Sequence, residues 1–114
     1  MKAKHTKCVQ DCKKCITACQ KLSKCCKTKD MEECKNACKC CMILCKAMIE
    51  MCKCDPDGAM CKKLAKLCST CTKNCATKCK KTISKIKYTK INPKSCKECM
   101  DICKKCSSSC AKCC

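Results

Sequence analysis

Glycine occurs once in the 114 residues, proline twice, and phenylalanine, tryptophan and arginine not at all. With so few turn formers and Tyr88 as the lone aromatic, a turn-rich all-β fold has almost nothing to build with. Leu, Ile, Val and Phe together number only 12. A share that low beside a net charge of +19 would ordinarily mark a disordered chain. No apolar run is long enough for a transmembrane helix. Met1–Lys7 has neither an apolar stretch nor a cleavage-site pattern, so no signal peptide reads from it and a cytosolic, thiol-reducing location is expected.

What the chain has instead is cysteine, 25 of them, and lysine, which supplies all 28 basic residues. The odd cysteine count leaves one thiol over in any pure disulfide framework. The sequence pI is only about 9.1 despite the +19, because thiols titrate near pH 8.5. Ionised thiols and lysines would therefore largely neutralise one another.

The spacing of the cysteines predicts the architecture. Cys8, Cys12, Cys15, Cys19, Leu22 and Cys26 follow one another at steps of three and four. Cys34, Cys38, Cys41, Cys45, Met48 and Cys52 repeat the pattern, followed by Cys61, Leu64, Cys68, Cys71, Cys75 and Cys79. Cys96, Cys99, Cys103, Cys106, Cys110 and Cys113 close the series. Such alternation places each set on one stripe of an α-helix. Only Cys25, Cys40, Cys54 and Cys114 lie off the four stripes.

Helices are expected over 6–27, 31–53, 56–82 and 94–114. Asp30 with Glu33 and Ser95 with Glu98 resemble capping boxes, and Asp55–Pro56 reads as an N-cap and first helical residue. Short first and second connections favour an all-α, antiparallel up-down four-helix bundle spanning 1–114 as a single domain. Between residues 80 and 94, Ile83 and Ile86 could continue the third helix, or Ile86, Tyr88 and Ile91 could form an extended segment. Val9, Ile16, Met42, Leu44, Ile49, Leu67, Met100 and Ile102 are expected at the seams around a cysteine-lined core.

Residues three or four apart on a helix have Cβ atoms about 5–6 Å apart, and a linear S–metal–S unit spans about 4.6 Å, twice a bond of about 2.3 Å. Soft, low-coordinate Cu(I) suits an all-thiol stripe. If ions and thiolates bridge one another, capacity is on the order of 20 Cu(I). Zn(II), which needs four closed ligands, is the runner-up, in a metallothionein-like Zn(II)/Cd(II) sequestering role. Iron–sulfur clusters and intrahelical disulfides fit less well.

The four successive Cys-x-x-x-Cys/Cys-x-x-Cys helices, from Cys8 to Cys113, resemble the copper storage proteins. The resemblance implies Cu(I) storage in clusters along a bundle axis, assembly as a homo-oligomer such as a tetramer, and copper entry at an end carrying His and Met. In an up-down bundle His5, Met48, Met51 and Met60 share one end with Cys52, Cys54, Cys113 and Cys114, so these four are the candidate entry port. Met48 as core, Met51 as seam and His5 as a solvated tail are the competing uses; Met31, Met42 and Met100 read as packing. A specific nucleic-acid partner is not expected, since the lysines surround every helix and neither arginine nor stacking aromatics are present. No acid–base pair points to an enzyme.

Overall fold

Thiols on one face and lysines on the others leave each segment a single way to bury apolar surface, and the computed structural model is all-helical among the residues it describes, 2–85 and 93–113. Four helices account for it: α1, Ala3–Cys25; α2, Glu32–Cys54; α3, Ala59–Lys85; and α4, Pro93–Lys112. A single 3₁₀ turn, Lys29–Met31, leads into α2. The molecule measures 46 × 20 × 18 Å. Helix α1 packs on α2 and α4, and α3 packs on the same two.

The helices keep the expected order but not every expected boundary. Helix α1 begins three residues early, at Ala3. The capping box at Asp30 does not form: Met31 is the N-cap of α2, without a side-chain cap, and Asp30 belongs to the 3₁₀ turn. Asp55 is the C-cap of α2, its N–H bonded to the Met51 carbonyl at 2.9 Å, and α3 starts only at Ala59. The Asp55 carboxylate occupies the space that a Cβ at Gly58 would need, so the sole glycine falls at this turn. Ser95 lies inside α4, whose first residue is Pro93, where a missing N–H costs nothing. Each helix has lysine in its last turn (Lys24, Lys53, Lys85 and Lys112), a favourable placement against the helix dipole. Helix α3 extends past 82 to Lys85 and takes Ile83 with it as a partly buried residue. Ile86, Tyr88, Ile91 and Cys114 lie outside the described residues.

The core is a column of sulfur. The largest fully buried side chains other than cysteine are Leu22, Met31, Met48, His5 and Thr72. Val9 and Ile49 are buried, and Ile16, Met42, Leu44, Met100 and Ile102 pack partly buried against the column. Leu67, expected at a seam, is 59% exposed. The α3 stripe is displaced as well. Ala65 and Thr72 are fully buried, while Leu64 and Cys71 stand half-buried at its flank. The buried series on α3 therefore reads Cys61, Ala65, Cys68, Thr72, Cys75, Cys79, which also alternates four and three.

Truncating Leu22, an aliphatic side chain fully buried in the column, should be felt strongly. We expect Leu22→Ala to destabilise the reduced, metal-free protein by about 2–5 kcal/mol, lowering its thermal midpoint by about 10 °C or more. Circular dichroism melts under anaerobic conditions measure it. A shift of a degree or two would mean that the sulfur column, not Leu22, closes that part of the core.

Candidate metal centre

The stripes deliver their thiols to a shared axis. Of the 21 stripe cysteines, all but Cys71 are buried, and Cys71 is half-buried; Cys25, Cys40 and Cys54 are exposed. None of the 24 cysteines of the described residues is in a disulfide.

Sulfur contacts set the register. Between α2 and α3, Cys34 meets Cys79 at 3.8 Å, Cys38 meets Cys75 at 3.8 Å, and Cys45 meets Cys68 at 3.9 Å. Between α1 and α4, Cys8 meets Cys110 at 3.5 Å, Cys15 meets Cys103 at 3.6 Å, and Cys19 meets Cys99 at 3.8 Å. Numbers rise on one helix as they fall on the other. Crosswise contacts join the pairs: Cys15 to Cys41 at 3.2 Å and Cys45 to Cys106 at 3.9 Å. Along single helices, Cys41–Cys45 and Cys99–Cys103 lie at 4.0 and 3.9 Å.

These contacts gather into groups whose sulfurs all lie within 4.8 Å of one another. Three are tetrads: Cys15/Cys19/Cys41/Cys103, Cys19/Cys75/Cys99/Cys103 and Cys38/Cys75/Cys79/Cys99. The first two share Cys19 and Cys103, and the second and third share Cys75 and Cys99. Nearer the other end, Cys8/Cys12/Cys110 and Cys8/Cys52/Cys113 are triads with Cys8 in common. Every ligand in these five groups is a buried cysteine. The thiols can therefore bind metal ions as thiolates.

Proton affinity within the column is uneven. Burial, followed by the charges of Cys113 and Cys61, pushes the Cys52 thiol up from 9.0 to about 12. Burial likewise raises Cys96 to about 11, with Cys34 adding to it. Deeper in, neighbouring thiols move in opposite directions, since one accepts the hydrogen bond that the other donates. Hydrogen bonding with Cys103, joined by Cys19 and Cys45 and opposed by Cys15, brings Cys41 down to about 7. Cys75 is lowered by its bonds with Cys103, Cys19, Cys38 and Cys41, whereas Cys45 is raised by those with Cys106, Cys12, Cys15 and Cys41.

The four candidate port residues divide by position. Met48 is fully buried, Met51 is half-buried against the core, and Met60 is 61% exposed. His5, with competing uses as tail or port, is buried on the α1 stripe one step before Cys8. Its Nε2 lies 2.9 Å from the Pro56 carbonyl, an acceptor, so Nε2–H donates. Nδ1 is buried and without a hydrogen-bond partner among the described residues. The step of three back from Cys8 was the signal for this burial; the same step back from Cys34 reaches Met31, also fully buried. Lysines line the outside, as in a groove of about 530 Å³ between α1 and α4 bordered by Lys4, Lys7, Lys14, Lys105 and Lys112. No helix of the described residues is long and apolar enough to cross a membrane. No protein-family model, curated protein or solved structure matches the chain.

Proposed function

We propose that this protein stores Cu(I), on the order of 20 ions per chain, inside a single antiparallel up-down four-helix bundle of the copper-storage type, in the cytosol. The observation that carries the reading is the sharing of sulfurs between successive groups. The three tetrads contain only eight distinct sulfurs, whereas three separate Zn(II) sites would need four apiece. Ions in such a column must share thiolates, and Cu(I) is the soft, thiolate-selecting ion that does so at low coordination number.

The spacings fit that coordination. Three sulfurs at about 2.3 Å from one ion stand about 4.0 Å apart, and the contacts at 3.8–4.0 Å need little adjustment. Each Cu(I) replaces a thiol proton, so a filled column is near neutrality, and the lysine coat balances the thiolates of a partly filled one. The antiparallel arrangement rests on the opposed numbering of the sulfur pairs. It collects His5, Met48 and the Cys8/Cys52/Cys113 triad at one end, where Nδ1 of His5 and the Met48 thioether offer weaker, exchangeable ligands for entering copper. The role is storage and not catalysis, since these groups are chemically alike and repeat along the column, which sets no single thiol apart as a nucleophile.

Anaerobic titration of the reduced protein with Cu(I) against a chromophoric Cu(I) chelator, with Zn(II) in a parallel cell, tests the reading. We expect uptake approaching the cysteine count and little competition from Zn(II). Saturation at a handful of ions, with Zn(II) bound equally well, would replace it with the metallothionein-like Zn(II)/Cd(II) alternative.

A further inference from the structure

The positions of Cys40 and Cys71 on the seam between α2 and α3 are related by the helix repeat. Glu33 of α2 and Lys78 of α3 form an ion pair across this seam at 3.2 Å. Seven residues up α2 from Glu33 is Cys40; seven residues down α3 from Lys78 is Cys71. Because the sulfur pairs Cys34–Cys79, Cys38–Cys75 and Cys45–Cys68 hold one register along the seam, moving one heptad on both helices reproduces the same cross-seam relation. Cys40 and Cys71 therefore face one another where the ion pair does one repeat away.

Exposure falls in steps from this point inward. Cys40 is exposed, Cys71 half-buried and Cys41 fully buried. Cys41 and Cys40 are both electrostatic neighbours of the Cys71 thiol, and Cys41 lies 3.2 Å from Cys15 and 4.0 Å from Cys45. A row of thiols thus runs from solvent at the waist of the molecule to the centre of the column.

We propose that Cys40 and Cys71 form a lateral Cu(I) acceptor site that passes the ion to Cys41, a route into the core separate from the His5 end. It rests on the reading of Cu(I) as cargo. A Cu(I) ion arriving between two low-molecular-weight thiolates is captured by ligand exchange. The Cys40 thiol forms a Cu–S bond, one carrier thiolate leaves, and the Cys40 proton goes to it. Exchange at Cys71 releases the second carrier thiol in the same way; a Cu–S bond to Cys41 then forms as the bond to Cys40 breaks, and the proton given up by Cys41 goes to Cys40. Copper stays Cu(I) throughout. The gain is distance: an ion entering at the waist starts near the middle of a molecule 46 Å long, not at its end.

The test is stopped-flow loading of the reduced full-length protein with Cu(I) bis-glutathione under anaerobic conditions. The background is Cys25→Ser/Cys54→Ser/Cys114→Ser, which leaves Cys40 as the exposed thiol among the described residues. Against it, Cys40→Ser and Cys71→Ser are each expected to slow loading several-fold while final capacity falls by no more than about one or two ions. Modification of the background protein with one equivalent of N-ethylmaleimide should slow it in the same way, without any change of sequence. Unchanged rates in both variants would overturn the lateral route. So would loss of an ion at unchanged rate, which would make the pair a static peripheral site. A background protein that fails to take up many Cu(I) ions would instead overturn the storage reading, so the two failures are distinguishable.

Discussion

Filling the column with Cu(I) is expected to raise the thermal midpoint by tens of degrees, and a strong chelator should reverse it. The metal-free protein is weakly held, because cysteine carries little apolar volume and Leu22, Met31 and Met48 are among the few larger apolar side chains fully buried in it. A ligand at 100 times its dissociation constant stabilises the fold by about 2.7 kcal/mol per site. A whole domain of ordinary stability is held by only about 5–15 kcal/mol, so a few filled sites match it and a full column exceeds it. Calorimetry of the reduced protein at increasing Cu(I) measures the effect. A rise of less than about 5 °C at saturation would place the metal outside the structural core.

Alkali should separate the metal-free and copper-filled forms just as sharply. Cys52 and Cys96 keep their protons in the fold up to about 12 and about 11, against 9.0 for an ordinary thiol. A group whose pKa is raised by folding contributes stability that is complete below its unfolded pKa and is lost as pH climbs through the folded one. The unfolded chain releases these protons first, so the metal-free bundle should lose stability from about pH 9 and unfold by about pH 12. In the copper-filled form the protons are already gone, and stability should be flat across that window. It should fall instead in acid, where protons compete with Cu(I) for sulfur. Denaturant midpoints of both forms between pH 7 and 12 are the measurement; parallel curves would contradict the account.

On α1, α2 and α4 most of the buried residues were legible in the sequence because cysteine recurs at steps of three and four along each inward stripe, with lysine recurring among the outward positions. Helix α3 was harder to read for a definite reason. From Cys61, two series of threes and fours were open, one through Leu64 and Cys71 and one through Ala65 and Thr72. Hydrophobicity favours the first, yet the second is buried. Small side chains fit against a crowded sulfur axis, and the Thr72 hydroxyl is satisfied on its own helix by the Cys68 carbonyl at 2.8 Å. Helix ends were legible only approximately. Asp30, Asp55 and Ser95 are good capping residues by type, but the geometry of each turn decides which residue takes the cap. His5 and Met31 could not be assigned from composition, although each continues a stripe by one step. What no spacing rule supplies is the sharing of Cys19, Cys103, Cys75 and Cys99 between tetrads, since that depends on how four helices are set against each other.

The column has no aliphatic layer to interrupt it in the region of the tetrads. Each heptad of an α-helix advances about 10.5 Å and adds two stripe positions, so four helices lengthened together by one heptad gain up to about eight sulfurs. Capacity in such a molecule scales with length rather than with volume, and a longer or shorter variant remains the same device with a different number of compartments. Each added turn also extends the lysine surface in proportion, so solubility and charge balance are inherited automatically. The architecture behaves as a ruler graduated in thiols.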